Sequence, residues 1–142
     1  MIELKTQKRL QELFRRENRS FLQYVTQATP WAAAEDRGLV DKLHSLAHEE
    51  MQALRELAEW LDARQVALPY LGAFPTTFTH YNFVAIRKLM KPLIDEQKKE
   101  LADLEADVLA ISDDAARAPL RKLVELNRQH LRDFEQITHA AR

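Results

Sequence analysis

Four amphipathic segments of this sequence each carry one carboxylate or amide on an otherwise apolar stripe. Glu17 lies between Phe14 and Phe21, Glu50 between Ala47 and Leu54, Gln97 between Leu93 and Leu101, and Asn127 between Val124 and Leu131. One polar intrusion is ordinary, but one per segment, near mid-length each time, requires a chemical reason. An isolated ionised glutamate in a core takes a proton, a partner or a metal ion, because removing its charge from water is costly. Two arrangements answer this. In the first, the amides of Gln97 and Asn127 satisfy Glu17 and Glu50 directly, Tyr24 and His130 join them, and the two glutamates share a proton. Such a network aligns helices and performs no chemistry. In the second, Glu17, Glu50 and His130 hold a metal, and two carboxylates with an imidazole suit iron or manganese.

Other chemistry is poorly represented. His44 and His48 lie one helical turn apart with Glu49 beside them, but two histidines do not close a metal site and both straddle the edge of their stripe. They read as boundary residues, and His80 and His139 as surface residues. Ser20, Ser45 and Ser112 have no evident base and no glycine-rich oxyanion loop. The two glycines, Gly38 and Gly72, cannot build a phosphate cradle. No catalytic residue is assigned, and the chain reads as a non-enzyme.

The bulk of the sequence narrows the setting. A net charge of −1, with basic residues matched by acidic neighbours, offers no footprint for nucleic acid. The run Glu96–Gln97–Lys98–Lys99–Glu100 reads as a solvated face. There is no cysteine, so disulfides, thiolate catalysis and zinc fingers are excluded. No apolar run approaches the ~18 residues of a membrane span, and the charged start Met1–Ile2–Glu3–Leu4–Lys5 lacks a signal-peptide core. These features predict a cytoplasmic protein with no membrane partner.

The elements that must position the polar residues are helices. Only two glycines in 142 residues argue against a turn-rich β fold and for one all-α domain over residues 1–142. The first stripe runs Leu10, Leu13, Phe14, Phe21, Tyr24, Val25 and ends near Thr29–Pro30. The second runs Leu39, Val40, Leu43, Leu46, Ala47, Met51, Leu54, Leu57, Leu61 and fades near Ala63. An aperiodic stretch from Leu68 to Thr79 predicts an ordered connection of about 15 residues that packs its aromatics. Trp31, Tyr70, Phe74, Phe78 and Tyr81 are expected to cap the core, and Trp60 to help such a cap or an interface. The third segment runs from about Tyr81 to Ile111 on Phe83, Ile86, Met90, Leu93, Leu101, Leu104 and Val108, with Pro92 expected to kink or divide it. The fourth is expected to start at Pro119 and carries Leu120, Leu123, Val124, Leu131, Phe134 and Ile137. Short connections make antiparallel hairpins of the outer pairs. The long one can span the bundle and set helices two and three parallel, the connectivity of a four-helix bundle with one crossover. The stripes can also form a homodimer surface.

The motifs have a family likeness. Glu17 followed by Tyr24, the segment His48–Glu49–Glu50–Met51–Gln52–Ala53–Leu54, and Asn127–Arg128–Gln129–His130 resemble the metal-site helices of the ferritin-like superfamily, bacterioferritin- and rubrerythrin-type bundles in particular. The resemblance spans roughly residues 5–138 and implies a di-metal site of one glutamate from each of two helices plus two Glu-x-x-His pairs. The departures are specific. Ala53 stands at the second-helix histidine position, Asn127 at the fourth-helix glutamate and Gln97 at the third-helix glutamate, while Asp95 and Glu96 point off the stripe. Only Glu17, Glu50 and His130 then remain as ligands, with Gln97, Asn127 and Tyr24 as neighbours of a vestigial site. The residues favour a degenerate, metal-free polar core in a structural or interaction module. Iron or manganese binding, with redox or storage chemistry implied by the resemblance, is the alternative.

Overall fold

A computed structural model describes residues 2–28 and 30–140. It is all-helical: α1 (Leu4–Asn18), α2 (Phe21–Gln27), α3 (Arg37–Ala63), α4 (Ile86–Ala110) and α5 (Asp114–Ala140), with 3-10 turns at Ala34–Asp36 and Thr76–Tyr81. Among the described residues there is no strand, only an isolated parallel bridge between Trp31 and Ala85, and no helix long and apolar enough to cross a membrane. α1 and α2 pack on α3 and α4, and α5 packs on the same two helices, most extensively on α4.

The first stripe is not one helix. The chain breaks after Asn18, and Ser20 starts α2 with its hydroxyl accepting from the Gln23 N–H at 3.2 Å. A serine N-cap satisfies a donor that a new helix start leaves free. α2 ends at Gln27; Thr29, half of the expected stop, lies outside the described residues. The third segment starts at Ile86 instead of near Tyr81, which lies in a 3-10 turn. Phe83, expected on the stripe, is 95% exposed with φ +61, a conformation that bulky side chains rarely adopt. Pro92 does not divide α4. α5 starts at Asp114, not Pro119, because the Asp113 carboxylate accepts from the N–H groups of Ala115 and Ala116 at 2.9 and 3.2 Å. Pro119 therefore sits inside the helix, where the extra turn outweighs the bond it cannot make.

The stripes bury as two apolar clusters. One gathers Leu10, Leu13, Phe14, Leu54, Leu57, Leu61, Leu104, Leu120 and Leu123. The other gathers Phe21, Leu22, Val25, Leu43, Leu46, Ile86, Leu89, Leu93 and Phe134. Along every long helix the polar residues fall between the members of these clusters. Met51 is the exception on its stripe, being exposed. The segment 64–85 buries Phe78 and half-buries Phe74 and Tyr81, but Tyr70 and Trp31 are exposed and do not cap the core. Trp60 is half-buried against the first cluster. Gly72 has φ +70, and its carbonyl accepts from Arg19 Nε at 2.7 Å, tying this segment to the break between α1 and α2.

Candidate functional site

Between the two apolar clusters lies a buried polar belt containing Glu17, Ser20, Gln23, Glu50, Gln97, Asn127 and His130. The four stripe positions read from the sequence are all buried, each at 1–2% exposure. Their partners differ from the expected network. Gln97 Nε2 donates to Asn127 Oδ1 at 2.7 Å and to its carbonyl at 3.2 Å, while Asn127 Nδ2 donates to the Leu123 carbonyl at 2.9 Å. The two amides thus satisfy each other and the backbone, and neither serves Glu17 or Glu50. Both are short side chains on adjacent helices, and α4 and α5 are in the closest contact in the fold.

Glu50 draws its donors from the helix break instead. Ser20 Oγ donates to Glu50 Oε1 at 2.5 Å, and Gln23 Nε2 donates to the same oxygen at 3.1 Å and to the Ala47 carbonyl at 2.8 Å. Ser20 therefore both caps α2 and anchors Glu50. Glu17 receives a long contact from Arg16 Nε at 3.4 Å, while Arg16 Nη2 reaches Asp107 Oδ2 at 2.7 Å. Arg9 holds the other Asp107 oxygen at 2.6 Å, which clamps α1 to α4 beside the belt.

The third carboxyl is Glu100, which its charged neighbours in the sequence assign to a solvated face. It makes a carboxyl–carboxyl hydrogen bond with Glu17, Glu100 keeping the proton. Burial pushes Glu17 up to about 8, against the lowering effects of the Glu100 hydrogen bond and the Arg16 charge. Burial pushes Glu50 up to about 7, against the bonds from Ser20 and Gln23. Burial, with the charges of Glu17 and Glu50, holds Glu100 well above the usual carboxylate range. The cause throughout is loss of water around an ion. Apart from protons on the carboxyls themselves, Glu17 Oε1, Glu50 Oε2 and Glu100 Oε1 have no hydrogen-bond partner, and neither has His130 Nδ1.

His130 is fully buried, and its Nε2 lies 3.0 Å from Glu49 Oε2 on the half-exposed rim of α3. Tyr24 does not join the belt. Its hydroxyl bonds Asn82, and its ring packs against Phe21, Phe74 and Phe78. His44 and His48 are exposed, His48 Nε2 lying 3.3 Å from Gln52 Nε2, and His80 and His139 are exposed as well. Ser20, Gln23 and Glu100 were missed. For Glu100 a signal existed: Leu93, Gln97, Glu100 and Leu104 follow three- and four-residue steps on one face.

No protein-family profile, characterised protein or solved structure matches the chain. The geometry must stand alone. A di-metal centre does not fit this donor set. Ala53 has no ligand atom, Asn127 Oδ1 is already an acceptor for Gln97, and among the described residues no three His, Asp or Glu side chains are set to hold one metal ion. What the belt can do is hold protons: three carboxyls from three helices share a volume that does not tolerate three charges.

Proposed function

We propose that the chain is a ferritin-like bundle, with the long crossover over 64–85, whose mid-bundle site is no longer a di-metal centre and which acts as a non-enzymatic structural or interaction module. The observation that carries this reading is the closed Gln97–Asn127 pair, which occupies with amides the two positions where the resemblance expects glutamates. Exposed Trp31, Tyr70, Phe83 and Leu109 support contact with a protein partner, a second copy of the chain included. The experiment is a metal count on protein purified from iron- and manganese-supplemented cells, alongside sedimentation equilibrium. The expected result is less than about a tenth of an equivalent of metal and no rise in thermal midpoint on adding Fe(II) or Mn(II), since anything bound to the folded state raises its stability.

The second reading is a single iron or manganese ion with redox or storage chemistry. It is favoured by the partnerless Glu17, Glu50 and Glu100 oxygens and the partnerless His130 nitrogen. One equivalent of metal that disappears in Glu50→Ala would establish it against the first.

A further inference from the structure

A cleft of roughly 180 Å³ opens beside the belt, between α1, the start of α2, the crossover and α4. That volume is small for a drug-sized ligand and suits a solute of few atoms. Its wall includes Ser20 and Glu100, which also belong to the carboxyl group: Ser20 touches Glu50, and Glu100 touches Glu17. The inner wall of the cleft is therefore the outer side of the three-carboxyl cluster.

The cleft is lined by charges of both signs. Arg15 is paired with Glu12, and Arg16 with Asp107 and Glu17. Arg19 and Lys99 also line it and make no ion pair among the described residues; Arg19 instead donates to the Gly72 carbonyl and lies over the Phe74 ring. Glu96 and Asp103 line the same cleft, likewise without an ion pair among the described residues. A plain anion leaves the acidic side unanswered, and a plain cation leaves Arg19 and Lys99 unanswered. A ligand bearing both signs answers both.

The inner end has a second signature. Glu17 and Glu50 are almost fully buried, and each keeps an oxygen that meets no protein N–H or hydroxyl; Glu100 keeps a third. A primary ammonium has three N–H donors and no acceptor, which complements acceptors drawn from three separate carboxyls. We propose that this cleft binds a small zwitterion, its carboxylate or phosphate held by Arg19 and Lys99 and its primary ammonium directed at Glu100 and the carboxyls behind it. This goes beyond the module reading, and a metal count does not decide it.

The test is calorimetric titration of the full chain with 4-aminobutyrate and with phosphoethanolamine, against butyrate, inorganic phosphate and ethanolamine. At least one bifunctional probe is expected to bind about ten-fold or more tighter than its single-charge counterparts, a difference of about 1.4 kcal/mol. The better of the two distinguishes a carboxylate from a phosphate source. Lys99→Gln should weaken it about ten-fold, as loss of one charge-assisted contact does. Glu100→Gln should erase the advantage over the single-charge anion. Amide chemical-shift changes in the wild-type protein should centre on Arg19, Ser20, Lys99 and Glu100, which keeps the test decisive if Glu100→Gln fails to fold. No advantage for either bifunctional probe, an unchanged advantage in folded Glu100→Gln, or shifts centred elsewhere would each overturn the proposal.

Discussion

The buried polar belt has two halves built on different terms. On the α4–α5 side, Gln97 and Asn127 close on one another and on backbone carbonyls, and neither amide carries a charge. On the α1–α3–α4 side, three carboxyls gather around Ser20, Gln23 and Arg16 and remain short of donors unless they keep protons. A neutral amide supplies both donor and acceptor, so a pair can satisfy itself. Carboxylates only accept, so a cluster depends on protons, cations or a bound donor. The amide half thus has a stability indifferent to pH, while the carboxyl half couples stability to solution conditions.

The largest way to break this contrast is pH. Glu17, Glu50 and Glu100 all have folded pKa values raised above those of the unfolded chain, so the folded state binds more protons between the two. Their contribution is fully present below the unfolded value of about 4.5 and is lost as pH rises through about 7 and 8 for Glu50 and Glu17. Denaturant titrations from pH 5 to pH 9 should show a loss on the order of several kcal/mol, since each ten-fold change in proton affinity on folding is worth about 1.4 kcal/mol. A flat profile would refute the proton-sharing cluster.

Glu17→Gln should be next in size. Removing a buried charge should stabilise the protein by about 2 kcal/mol at pH 9 and by little at pH 5, so that stability varies less with pH. Equal effects at both pH values would mean that Glu17 is not ionising in the folded state. Gln97→Leu sharpens the other half, because it strips Asn127 Oδ1 of its donor. It should cost about 1–3 kcal/mol at every pH, as a buried acceptor left unsatisfied does. A cost that varies with pH would show that the two halves are coupled after all. Ser20→Ala, which removes the α2 cap and one donor to Glu50, should cost about 1 kcal/mol in thermal melts at pH 5. There Glu50 is largely protonated, so the loss at pH 9 should be larger.

Much of this architecture was legible in the residues. Period-3.6 stripes require helices, and Glu17, Glu50, Gln97 and Asn127 interrupt those stripes at the inward face, so their burial followed from spacing alone. Element ends were less legible, because a cap competes with the pattern. Asp113 starts α5 before Pro119, and Ser20 divides a stripe that reads as continuous. Glu100 was hidden by its charged neighbours, although its spacing from Gln97 and Leu104 matched the inward face.

The sequence by itself determined the helices, the absence of cysteine chemistry and the placement of one polar residue on each of four inward faces, because periodicity is a property of the chain taken locally. Only the tertiary structure decided who bonds to whom. Which of two amides, three carboxyls, a serine and a histidine become partners depends on how far apart neighbouring helices stand and how a break rotates one against another. It was that packing which closed Gln97 on Asn127, turned Ser20 and Gln23 towards Glu50, and brought Glu100 against Glu17.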